Sequence, residues 1–122
     1  MNEFHEWGKW SRHNPDRLDY PRPWLEMIMR DNVPTPPLSY TITDERAVAI
    51  DKAVCALARH SVVLYRIFCL RYLARWSLRT IAREYLTPLE CPEGNKQVRK
   101  EVSGLLLERA EGFILGVLAQ NT

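Results

Sequence analysis

The sequence predicts an all-α, single-domain helical bundle with a helix-turn-helix and a proline-rich N-terminal wrap. Apolar residues recur at three-four spacing through most of 43–118, and Thr43, Ser61 and Ser77 each stand where such a run begins, as N-cap residues do. Six of the eight prolines crowd between Asn14 and Pro37, and each fixes φ and removes a backbone donor, so a continuous helix is excluded there. A chain of 122 residues suits one compact domain with a core that needs no staples. Within it, residues 1–42 read as an N-terminal helix and wrap, and 43–122 as a helical core with its helix-turn-helix at about 77–110.

Residues 2–13 form a short helix on this reading, with Phe4, Trp7 and Trp10 on one face and Gly8 weakening it. The rings are expected to dock on the core, although tryptophan also favours partner-binding patches. In the proline-rich stretch, Pro23 to Arg30 can make one or two turns with Pro23 at the first helical position. Trp24, Leu25, Met27 and Ile28 favour an ordered wrap, since disordered arms are seldom so apolar. The next helix starts at Thr43 with two acids near its positive end and buries Ala47, Ile50, Val54 and Leu57. A further helix follows Ser61. It carries Val63, Ile67, Leu70 and Ala74 on one side and Tyr65, Phe68 and Tyr72 on another, with Arg66, Arg71 and Arg75 at the flanks. A helix apolar on two sides is packed on both, which makes this one the hub.

Ser77 then caps a helix whose Leu78, Ile81, Ala82 and Tyr85 share a face, while Arg79, Thr80 and Arg83 point away. Residues 87–95, with Pro88 and Pro92, read as an ordered loop longer than a tight helix-turn-helix corner. The last helix is expected from about Asn95 towards Gln120. Val98, Val102, Leu105 and Leu106 are its expected buried side, and Lys96, Gln97, Lys100 and Ser103 its outward side, with Arg99 on the flank. Such a face suits phosphates and base edges in a major groove. Farther along, Leu107, Ala110, Ile114, Val117 and Leu118 lie nearly opposite. A kink near Gly112, cover by the wrap, or a partner would explain that, and self-association through this stripe is one such use.

The net charge of +2 says little, but its distribution says more. Residues 1–64 carry eight basic against nine acidic side chains, and 65–122 carry nine against six. From Lys52 to Arg83 there are seven basic residues and no acid, which fits either an anionic partner or a merely solvated surface. Cys55, Cys69 and Cys91 have no paired spacing and read as reduced thiols, two of them in the core; His5, His13 and His60 are scattered, so no metal or cofactor is expected. No apolar run approaches membrane-spanning length, so a soluble, intracellular protein is expected, without membrane contact. An enzyme is disfavoured, because a glycine-rich phosphate loop, a nucleophile elbow and a clustered acid pair are all missing.

Three stretches carry a family resemblance: Glu6-Trp-Gly-Lys-Trp10, the Tyr65 and Ser77-Leu-Arg-Thr-Ile-Ala-Arg83 block, and Gln97-Val-Arg-Lys100 with Glu108-Arg-Ala-Glu-Gly-Phe-Ile114. Together they resemble phage late-gene antitermination Q proteins of the small lambdoid type, whose helix-turn-helix is similar to sigma region 4. The resemblance implies a non-enzymatic factor that binds DNA overlapping the phage late promoter. It further implies loading onto host RNA polymerase at a sigma-dependent pause, followed by read-through of terminators. On that resemblance Lys96, Gln97, Arg99 and Lys100 would enter the groove, with Ser103 beside them. Arg79 and Arg83 would touch phosphates, with Ser77 and Thr80 as neutral donors. For polymerase the aromatic N-terminus, the Arg66, Arg71 and Arg75 flank and the C-terminal stripe are the candidate surfaces. Two rivals stand beside it. One is a small repressor or sigma-like regulator that dimerises on a palindromic site; the other is a modulator of RNA polymerase that binds no DNA.

Overall fold

A computed structural model describes residues 2–14, 24, 40–94 and 96–120. Helix α1 (Glu3–His13) begins at Asn2, whose side chain accepts the Phe4 amide at 2.9 Å. Glu3 and Glu6 lie in its first turn and Arg12 and His13 in its last, which matches the helix dipole. Phe4, Trp7 and Trp10 are buried, so the rings dock on the core. Gly8 has a purpose that helix propensity hides. A Cβ there would sit 2.2 Å from the carbonyl oxygen of Tyr72, so only glycine lets the two backbones approach.

Helix α2 (Asp44–His60) is capped by Thr43, and helix α3 (Val62–Tyr72) by Ser61. Ala47, Ile50, Val54 and Leu57 of α2 are buried where the periodicity puts them. α1 is tied to the start of α2 by polar contacts: Trp10 Nε1 donates to Asp44 Oδ1 at 2.9 Å, and Arg46 grips Glu3 at 2.8 and 3.0 Å. Glu6 accepts from Thr41 N–H at 2.8 Å and from Lys9 at 2.9 Å. These bonds, with Lys9 first, hold its carboxyl below the usual carboxylate range.

α3 is the hub: it packs on α1, on α2 and on both helices of the following motif. Phe68 meets Phe4 edge-on at 5.2 Å and Trp7 at 5.4 Å. Cys55 and Cys69 are buried and Cys91 is half-buried, all three as free thiols. Among the described residues there is no strand. Of the proline-rich stretch only Trp24 is described. It is helical, half-buried, and 5.8 Å from Tyr65. The remaining expectations for 15–23 and 25–39, including the wrap, fall outside the described residues.

After α3 the chain continues through α4 (Leu78–Ile81), a π-turn (Ala82–Leu86) and α5 (Thr87–Glu90), then a connection, then α6 (Lys100–Gln120). Two expectations need correction here. The stretch from Thr87 to Glu90 is helix rather than loop, with Pro88 in the first turn, where it breaks no ladder. And α6 starts at Lys100 rather than near Asn95, since 96–99 are not helical.

The buried face of α6 also differs. Ser103, Leu107, Ala110, Ile114 and Leu118 form one continuous stripe at four-three-four-four spacing, packed on the rest of the bundle. Val102 and Leu105, expected inside, are 41 % and 61 % exposed, while Ser103, expected outside, is fully buried. The helix runs through Gly112 without a break. The stripe offered for self-association is thus largely this chain's own core: Leu107, Ala110, Ile114 and Leu118 are buried and Val117 is half-buried.

Candidate nucleic-acid interface

The motif begins at Ser77, whose Oγ accepts the Thr80 amide at 3.1 Å and lies 2.9 Å from the Thr80 hydroxyl. That cap fixes the register of the first turn. Ile81 and Ala82 turn inward and Arg79 and Arg83 outward, as the spacing predicts. Leu78 rests against Gly104, where an added Cβ would meet its Cδ1 at 3.7 Å, an ordinary contact. α4 and α6 therefore cross closely, with small Ser103 and Gly104 beneath the crossing.

The π-turn shifts the hydrogen-bond ladder by one residue, so that the Thr87 amide bonds back to Ala82. Thr87 then receives the Val98 amide on its Oγ1 at 2.9 Å. This bond, with Val98 half-buried against the core, holds 96–99 alongside the first motif helix. Gly94, at φ +75°, makes the preceding turn, its amide bonded to Cys91 O at 3.0 Å.

Two open concavities result. One, of about 330 Å³, is lined by Arg79, Ala82, Gln97, Val98, Arg99, Lys100 and Glu101. The other, of about 410 Å³, is lined by Arg83, Thr87, Gly94, Lys96 and Gln97. Gln97 lines both, so the concavities adjoin. Six of the residues singled out from the sequence (Arg79, Arg83, Lys96, Gln97, Arg99 and Lys100) are exposed and gathered there. Among the described residues Arg79, Lys96, Arg99 and Lys100 make no ion pair, whereas Arg83 pairs with its exposed neighbour Glu84 at 2.9 Å. Exposed pairs of that kind contribute little.

Three predicted residues stand apart. Ser77 is exposed but its hydroxyl serves the cap, Thr80 is half-buried beside it, and buried Ser103 faces the core. One residue was missed. Glu101 lines the first concavity among the cations, and as an acid within a basic run it gave no signal in the sequence.

Chemically the surface offers guanidinium, ammonium and amide donors around a groove, a donor set for a polyanion rather than for catalysis. The described residues hold no group of three or more His, Cys, Asp or Glu that would take a metal ion. No helix among them is long and apolar enough to cross a membrane.

Comparison with the curated proteins and with the solved structures gives no match. The family model described as Phage antitermination protein Q, in contrast, matches residues 2–122, nearly the whole sequence. The match spans the aromatic N-terminal helix, the hub and both helices of the motif, so the chain belongs to the phage antitermination protein Q family.

Proposed function

We propose that this protein is a transcription antitermination factor that binds promoter-adjacent duplex DNA through the Arg79–Lys100 groove. From there it loads onto host RNA polymerase and carries it through downstream terminators. The observation that carries the DNA step is the convergence of Arg79 and Arg83 with Lys96, Gln97, Arg99 and Lys100 around two adjoining open concavities. In this reading Arg79, Arg83 and Lys96 hold the phosphate backbone, and Gln97, Arg99 and Lys100 reach base edges. The Thr87–Val98 bond fixes their spacing before DNA arrives. Family membership supports the antitermination step and, with it, the engagement of polymerase. The rival dimeric repressor loses its main support, because the stripe it needed lies mostly in the core.

In vitro transcription from a late promoter of the source phage, with a terminator downstream, tests the whole proposal. Read-through is expected to rise with protein and to vanish when the promoter-adjacent DNA is scrambled. Unchanged termination with reduced initiation would overturn it in favour of a repressor or a polymerase inhibitor. Duplex binding is expected to weaken steeply with salt.

A further inference from the structure

Of the surfaces the sequence offers for a protein partner, most are closed. Phe4, Trp7 and Trp10 are buried, as is most of the C-terminal stripe. Arg66 lies over the Trp24 ring at 5.2 Å, so it is engaged inside the molecule. What remains open is the corner after α3, at Arg75 and Trp76.

Arg75 is exposed and has φ +62°, the left-handed conformation that glycine ordinarily supplies at a helix C-terminus. It is the one non-glycine residue with positive φ among the described residues. The corner around it is rigid. The Trp76 amide reaches back to Leu70 O at 2.9 Å, and the Ala74 amide to Cys69 O at 3.2 Å. Arg71 Nη1 donates to Trp76 O at 3.1 Å, and Arg12 Nη1 to Tyr72 O at 2.8 Å. Arg12 and Arg71 are therefore committed to carbonyls and act as braces. Arg75 makes no hydrogen bond or ion pair among the described residues, and half-exposed Trp76 stands beside it.

Arginine and tryptophan are the side chains most enriched at protein–protein hot spots, above all where they are held rigid before binding. The surroundings carry mixed charge. Beside the cations Arg71 and Arg75 stands one carboxylate, Glu111, which receives the Tyr72 hydroxyl hydrogen bond. Burial, followed by the charges of Arg71, Arg75 and Lys9, pushes His5 below its ordinary range, which shows how closely the cations gather. The half-exposed Trp76 ring offers an apolar contact that a phosphate backbone would leave unused, whereas a protein surface can set a carboxylate on Arg75 and an apolar side chain on the ring.

We propose that the Arg75–Trp76 corner is a preorganised docking site for a carboxylate-bearing protein surface, separate from the DNA groove. The proposal rests on the antitermination reading, in which that protein is RNA polymerase.

The test is Arg75→Gly, because glycine suits the backbone angle and removes only the side chain. Wild type, Arg75→Gly and Arg75→Lys are each titrated with host RNA polymerase holoenzyme and, separately, with the promoter-adjacent duplex. Arg75→Gly is expected to melt no lower than wild type and to bind the duplex equally. It should lose about tenfold or more in affinity for polymerase, with Arg75→Lys in between. Wild-type affinity for polymerase in the glycine variant would overturn the proposal. So would a loss confined to the duplex, which would make the corner a phosphate contact. A lowered melting temperature would refute the premise that glycine fits this angle. If wild type binds the duplex but not polymerase, the antitermination reading fails first, and that failure is distinct because it appears before any substitution.

Discussion

The end of the molecule where α1 meets α3 and the groove between α4 and α6 use their residues in opposite ways. At the α1 end the apolar face is enclosed: Trp7 and Trp10 are fully buried, and Gly8 touches the backbone of Tyr72. In the groove Arg79, Lys96, Arg99 and Lys100 are exposed and unpaired among the described residues. Side chains at the first end are tied down by packing, where a change of one methyl group is felt. Those at the second end hold little of the fold and stay available for a ligand. Stability and binding are therefore expected to separate cleanly under mutation.

The largest effect is expected from Trp7→Ala, which should cost about 3–5 kcal/mol by denaturant titration, as large-to-small core changes do. A loss below about 1 kcal/mol would mean that α1 is held by its polar rim rather than by its rings. Gly8→Ala comes next. Helix propensity alone would make it stabilising by about 1 kcal/mol. The contact with Tyr72 O reverses the sign, to a loss of about 1–3 kcal/mol.

In the groove, Arg99→Ala and Lys100→Ala should each stay within about 0.5 kcal/mol of wild-type stability. Each should also weaken duplex binding by about 1–3 kcal/mol and relax sequence preference, as loss of a base-edge contact does. Unfolding of either variant would break the contrast between the two regions. The smallest effect is expected from Ser103→Ala. Its hydroxyl is buried without a hydrogen-bond partner among the described residues, so removing it should alter stability by less than about 0.5 kcal/mol. Duplex affinity should not change, and a clear drop would return Ser103 to the binding surface.

α1 and α2 were legible because each combines a capping side chain with apolar residues on one clear face, and α3 because Ser61 caps a run apolar on two sides, which only a helix packed on both can bury. α6 was not, because Val102, Leu105, Leu106 and Leu107 put apolar side chains on several sides of its first half. Periodicity then cannot choose a face. The choice is made by tertiary fit, where small Ser103 and Gly104 admit α4 and leave bulky Leu105 outside. Its start was misplaced for a related reason. The Val98 amide finds its partner in Thr87, eleven residues back, and no local pattern announces that bond. Pro88 misled in the other direction, since a proline just after a π-turn can continue a helix. The six groove residues were legible as types, because basic side chains at outward positions survive small errors of register. Glu101, an acid within a basic run, gave no comparable signal.

The contact between Gly8 and Tyr72 also sets an order of events during synthesis. α1 is made before α2 and α3, and its apolar face stays incompletely covered until both are complete. At ordinary bacterial elongation rates the two tryptophans stay uncovered on the order of several seconds. α1 is thus made before the helices it packs on, and its indole rings should report its docking on α2 and α3 rather than the initial collapse.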